Sequence, residues 1–234
     1  MQVQPIGATP EVLFESIVHP CLNLIHSADM IKSLFDKQDN SSQYSSSLNE
    51  NWTALEAWLG KNWPEGLQDL NPPASAEEIE ALEAALGVRL PGDFVDFLKV
   101  HNGQKGNAGG LFDNSEFLST GAILEQWTVW KDLLDSGEFQ GIESEPESGI
   151  RNDWWHARWI PFTHNGGGDH YCLDLAPAPG GVDGQVITMW HDMGTRQVEA
   201  AGIRPWFARY VDAVLAGKYA YSEDFDGLVD IDFA

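Results

Sequence analysis

Residues 159–190 read WIPFTHNGGGDHYCLDLAPAPGGVDGQVITMW, and the fold turns on this stretch. Trp159-Ile160-Pro161-Phe162, Tyr171-Cys172-Leu173-Asp174-Leu175 and Gln185-Val186-Ile187-Thr188-Met189-Trp190 are short runs rich in apolar, β-branched and aromatic residues. Gly, Pro, Asn and Asp separate them, which is the punctuation of strands and turns. Gln197-Val198-Glu199-Ala200 is a fourth strand-like run. Beyond it, Pro205 opens a helix with Phe207, Tyr210, Val211 and Val214 on its apolar face, and Gly217 stops it.

Upstream of the quoted stretch the period changes from two to that of a helix. Ile123, Trp127, Trp130 and Leu134 mark a helix that stops at Gly137, followed by an acidic loop from Phe139 to Ser148. Leu111-Phe112 and Glu116-Phe117-Leu118 read as short strands around a turn. Further upstream, Pro91 opens a helix carrying Phe94, Phe97, Leu98 and His101 that ends at Asn102-Gly103. Ser75-Ala76-Glu77-Glu78 matches a capping box, with Ile79, Leu82 and Leu86 on one face and Gly87 as the stop. Trp52, Leu55, Trp58 and Leu59 form another amphipathic stripe. Helices first, then strands, then a closing helix give an α+β fold. Its mostly antiparallel central sheet is packed by N-terminal helices and a C-terminal helix.

The remaining chain divides into three segments. Thr9-Pro10-Glu11 and Ser27 are helix starts, so residues 1–40 read as a helical extension. Residues 41–50 read as a Ser-rich linker, and residues 51–218 as the main domain. Residues 219–234 form an acidic C-terminal segment. There Glu223, Asp224, Asp226, Asp230 and Asp232 alternate with Phe225, Leu228, Ile231 and Phe233. Such a segment orders on a partner or stays a solvated end.

The 234 residues carry a formal net charge of −23, with 43% hydrophobic residues and ten Trp, so this is a folding sequence and not a disordered acidic chain. Residues 51–218 hold 25 acids and 11 bases, so the main domain carries most of the charge. That balance excludes nucleic acid and anionic membrane as partners, since both need a basic surface. It points to a basic protein partner or to high solubility. Cys21 and Cys172 are too few and too distant for a disulfide framework, so a reducing compartment is expected. No secretory pattern and no span of about 20 apolar residues is present, which places the protein in the cytoplasm.

Several groups invite chemistry. His164-Asn165-Gly166-Gly167-Gly168-Asp169-His170 has the glycines of an anion nest, but the surroundings are acidic and no P-loop Lys follows. A tight turn between strands explains it more simply. His170, Cys172 and Asp174 share one strand face and so suggest an activated thiol, although side chains on one face stand parallel and rarely reach each other. A buried structural thiol is the commoner case. His164, Asp169, His170, His191 and Asp192 offer metal-ligand atoms without any recognised spacing. No catalytic group, metal or cofactor is therefore assigned. Trp154-Trp155 is a different matter, because adjacent side chains diverge and one of the two is expected at the surface as an anchor.

Four blocks, in order, resemble a known family. They are Pro72-Pro73-Ala74-Ser75 with Glu78-Ile79, Leu82-Glu83 and Leu86-Gly87; Leu90-Pro91 with Asp93-Phe94, Phe97-Leu98 and His101-Asn102-Gly103; Trp159-Ile160-Pro161-Phe162 with Gly168-Asp169 and Cys172-Leu173-Asp174-Leu175; and Gly184-Gln185-Val186-Ile187 with His191-Asp192. Over roughly residues 51–217 this resembles the SUKH superfamily, in the branch named after the yeast cell-wall-assembly regulators Smi-one and Knr-four. The resemblance implies an α+β fold and a non-enzymatic role. Bacterial members are mostly immunity proteins that bind and block a cognate toxin, and fungal members are scaffolds in cell-wall signalling. The leading expectation is an immunity protein that neutralises a toxin by stoichiometric binding, for example a nuclease with a basic groove. The alternative is a scaffold or regulatory module in cell-envelope signalling, and a thiol enzyme ranks last. The acids expected to face the partner are Asp113, Glu116, Glu143, Glu145, Asp153, Asp169 and Asp192, with Trp154 and Trp155 as aromatic anchors.

Overall fold

The computed structural model describes residues 47–232, so the expected helical extension lies outside the described residues. Helix α1 (Leu48–Asn62) starts at Ser47, whose hydroxyl accepts from the Glu50 N–H while the Glu50 carboxylate accepts from the Ser47 N–H. The end of the expected linker is therefore a capping box and a first helical turn. Then come α2 (Pro64–Asp69), α3 (Ala76–Leu86) and α4 (Gly92–Leu98). The Ser75–Glu78 capping box starts α3 as the spacing predicts, and Gly87 ends it with a left-handed φ of 67°.

Strand β1 (Glu116–Phe117), helix α5 (Thr120–Ser136), β2 (Glu145–Pro146), β3 (Trp159–Pro161), β4 (Thr163–His164), β5 (His170–Asp174), β6 (Gln185–Met189), β7 (Thr195–Arg196) and β8 (Val198–Ala200) follow. Helix α6 (Ile203–Leu215) and the hairpin β9 (Tyr219–Ser222) and β10 (Gly227–Asp230) close the described chain. The central sheet is antiparallel with order β3-β5-β6-β8, so the runs at Trp159, Tyr171 and Gln185 are neighbours. Leu173 faces Ile160 on one side and Val186 on the other. β2 pairs with β7 in parallel as a separate two-stranded ladder.

Period-two alternation sends the strand residues to two buried faces. Ile160, Phe162, Leu173 and Val186 join the large core with α1, α4 and α6. There Phe97 packs its ring 5.1 Å from Trp52 and 4.9 Å from both Phe117 and Phe207. Trp159, Cys172, Ile187 and Met189 face the other way and form a small core with Trp130 of α5 and with Trp155.

Two regions differ from the sequence reading. Leu111-Phe112 does not pair with β1. Phe112 and Ser115 instead exchange both backbone hydrogen bonds around Asp113 and Asn114, which take left-handed φ of 48° and 58°, and β1 pairs with β4. The acidic C-terminal segment is not a solvated end. It is a hairpin turned at Asp226 (φ 52°) and docked on the domain, with the Leu228 N–H donating to the Gly110 carbonyl and the Asn114 N–H to the Leu228 carbonyl. A Cβ on Gly227 would stand 2.7 Å from the Gly110 oxygen, so only glycine allows this approach. Leu228 is fully buried there.

Candidate functional site

The small core supplies the floor of the site. On β5, His170, Cys172 and Asp174 share the predicted face, but each is committed to a different partner. Trp130 Nε1 donates to His170 Nε2 at 3.0 Å. An indole can only donate, so Nε2 is the acceptor and Nδ1 carries the proton it gives to the Thr163 carbonyl at 2.7 Å. Burial holds this imidazole neutral and lowers its pKa to about 4. Asp174 accepts from Trp159 Nε1, Gln185 Nε2 and the Ala176 N–H. Cys172 is fully buried, and burial pushes its thiol far above the ordinary range. These side chains brace the sheet and leave the thiol protonated, the opposite of an activated nucleophile.

Arg196 lies over this core with no exposed surface. Its Nη1 donates to the carbonyls of Met193 and Thr195, and its Nη2 to the Trp154 carbonyl at 2.8 Å. Its Cζ stands 5.2 Å from the centre of the Trp154 ring, in cation–π range. Burial lowers its pKa to about 10, so it remains charged at neutral pH. The sequence reading missed this residue. The available signal was parity: Arg196 stands two residues before Val198, which packs on the small core, so both point inward.

Arg196 thereby fixes the Trp154 loop, and backbone bonds fix the acidic loop beside it. The Ser144 N–H donates to Asn152, Glu145 to Gly194 and Glu147 to Arg196. Glu143 bridges to Asp153. Between these loops and the end of α5 lies a cleft of about 280 Å³ with Leu134, Phe139 and Ile142 on its apolar side. Glu143, Asp153, Trp154 and Trp155 also line it. Four of the residues singled out in the sequence thus meet at one place, and Glu145 follows them on the adjoining strand β2. The two tryptophans diverge. Trp154 is partly buried, whereas Trp155 is only 2% exposed and stacks in the small core against Trp130. Trp155 is therefore wall material and not the exposed anchor expected of it.

The other expected acids lie elsewhere. The Asn165 side chain accepts from the Gly167 and Asp169 N–H groups, so the Gly-rich loop is a tight turn with two of its donors turned onto its own side chain. Asp169 accepts from the His191 N–H and contacts His191 Nδ1 at 2.8 Å. Burial pushes the Asp169 pKa up, but the bonds from His191 and Asn165 outweigh that and hold it below the usual value. Asp169, His191 and Asp192 have ligand-type atoms within 4.8 Å of one another, where the turn before β5 meets the loop after β6, and these hydrogen bonds brace the two together. Asp113 is an exposed residue whose carboxyl turns inward to accept from the Tyr171 hydroxyl at 3.1 Å. Burial raises its pKa, and hydrogen bonds from Tyr219 and Tyr171 partly offset the rise. Glu116 sits on β1, where burial and then Asp69 raise its pKa. Among the described residues, no helix is long and apolar enough to cross a membrane.

The model of the SMI1 / KNR4 family (SUKH-1) matches residues 73–209, from just before α3 into α6. The chain is similar to the glucan synthesis regulatory protein of Neurospora crassa, at 24% identity over 213 residues, covering 76% of this chain and 40% of that protein. It is similar to the cell wall biosynthesis/cell cycle regulator smi1 of Schizosaccharomyces pombe, at 27% over 195 residues, with 77% and 39% covered. It is also similar to F-box only protein 3 of Bos taurus, at 26% over 187 residues, with 74% and 36% covered. The chain thus spans about two fifths of the length of these curated relatives. Since the family match covers more than half of the sequence and contains the whole central sheet, the chain belongs to the SMI1/KNR4 (SUKH-1) family.

Proposed function

We propose that this protein is a non-catalytic interaction module that regulates cell-wall or cell-envelope synthesis by holding partner proteins. The observation that carries the reading is the family match over residues 73–209, together with relatives named as regulators of glucan and cell-wall synthesis. The site chemistry supports it: Cys172 is buried with a raised pKa, His170 and Asp174 are engaged in bracing, and a cleft with an apolar side and an acidic rim lies open beside them. The toxin-antagonist reading shares the binding mode but not this support, because two of the relatives reported above are named as regulators of glucan or cell-wall synthesis. Partner and compartment belong to the proposal: a protein with a basic binding segment, met in the cytoplasm.

The test is genetic. Deleting the gene from its host should change sensitivity to wall-digesting enzymes and the amount of wall polymer, and restoring it should reverse both. An unaltered wall, combined with growth protection against a toxin encoded next door, would replace this reading with the antagonist one.

A further inference from the structure

We infer that the cleft between the end of α5 and the Trp154 loop docks an extended segment of a partner protein, one apolar anchor residue flanked by Lys or Arg. The inference rests on the interaction-module reading above and adds the surface and the chemistry of the occupant.

The size of the cleft comes first. At about 280 Å³ it falls just short of the roughly 300–1,000 Å³ of small-molecule pockets, and it suits one large side chain. Ile142 on the cleft wall is 47% exposed, and an exposed apolar group lining a concavity marks an interaction surface more than a solvated one.

Charge then selects the occupant. The nearby cations are engaged: Lys131 with Asp135 at 2.5 Å, Arg151 with Asp153 at 2.6 Å, and the buried Arg196 with the carbonyls of Met193, Thr195 and Trp154. Glu138, Glu143 and Glu145 have no ion-pair partner among the described residues. An acidic rim with unspent charge attracts basic side chains and repels phosphate, nucleic acid and acidic peptides.

A large apolar side chain seated in the cleft, with Lys or Arg on either side of it facing Glu143 and Glu145, describes a peptide segment.

The experiment uses the full chain and a fluorescein-labelled Gly/Ser dodecapeptide bearing one central Leu and two Arg on each side. Anisotropy should report binding, weakened about tenfold or more when Glu replaces Arg or Gly replaces Leu, and weakened again between about 50 mM and 300 mM NaCl. Glu143→Lys with Glu145→Lys, and separately Ile142→Asp, should each weaken it about tenfold. All three positions are exposed, and unchanged thermal melting will show that the variants fold. No binding by the wild type, equal binding of the acidic peptide, or full binding by these folded variants overturns the inference. If the Ile142→Asp allele restores a normal wall in the deleted host, the cleft proposal falls and the regulatory reading stands. If deletion itself leaves the wall unaltered, the regulatory reading falls whatever the peptide does.

Discussion

Along β5 the side chains alternate between two environments. Leu173 and Leu175 face the large core, while His170, Cys172 and Asp174 face toward the small one. The large core is an aromatic array in which Phe97 touches Trp52, Phe117 and Phe207, with Trp52 Nε1 as its unmatched donor. The small core is crossed by polar groups: a neutral His170, a bonded Asp174, the guanidinium of Arg196 and two further unmatched donors, Trp155 Nε1 and Ser144 Oγ. Apolar packing is the cheaper way to stabilise a sheet, and buried polar groups earn little stability unless fully bonded. The difference teaches that the large face builds the fold and the small face builds a surface.

That contrast has consequences in descending order of size. Phe97→Ala should cost about 4–5 kcal/mol in urea unfolding, because a fully buried ring leaves a cavity inside a rigid array. Surviving folded molecules should bind the basic peptide normally. Arg196→Ala should cost about 3–4 kcal/mol, since the carbonyls of Trp154, Met193 and Thr195 lose their donor. Unlike Phe97→Ala it should also abolish peptide binding, because the Trp154 loop loses its tether.

The third consequence is a pH dependence located in the small core. The pKa of His170 is about 4 in the folded chain, against about 6.5 unfolded. The unfolded state therefore binds the proton first, and stability falls as the pH drops from about 6.5 to about 4, by about 2–3 kcal/mol. His170→Gln can accept from Trp130 and donate to Thr163 without titrating, so subtracting its stability profile from the wild type should show that loss alone. A flat difference between pH 4 and pH 6.5 would place the group outside a buried setting. The smallest effect belongs to the rim: Glu143→Lys should change stability by no more than about 0.5 kcal/mol, read in the same urea titration, while weakening the peptide.

Much of the large face was legible because its signals are local and redundant. Ser75 and Glu78 announce their helix by spacing, and the runs at Ile160, Leu173 and Val186 alternate apolar residues between turn residues. The small face was harder because its meaning lies in contacts distant along the chain. Trp154 and Trp155 diverge as adjacency requires, but nothing local says which of them Trp130 will cover. Arg196 looks like a surface residue until its bonds to Trp154 and Met193 are seen. The C-terminal hairpin carries a weaker signal: Tyr219-Ala220-Tyr221 and Leu228-Val229 flank a four-residue loop, Glu223 to Asp226, whose charges make it look like a solvated end. The acids themselves scattered to Asp113, Glu116, the Asp169 loop and the cleft, because abundance in sequence carries no information about proximity.

The most direct test of the two-face account is a titration of the nitrogen-labelled chain with the basic, Leu-centred peptide, followed through the indole N–H signals. The account predicts that Trp154, Trp155 and Trp130 shift together while Trp52 of the large core stays fixed. Shifts that spread equally to Trp52, or a Trp154 signal indifferent to saturating peptide, would contradict it.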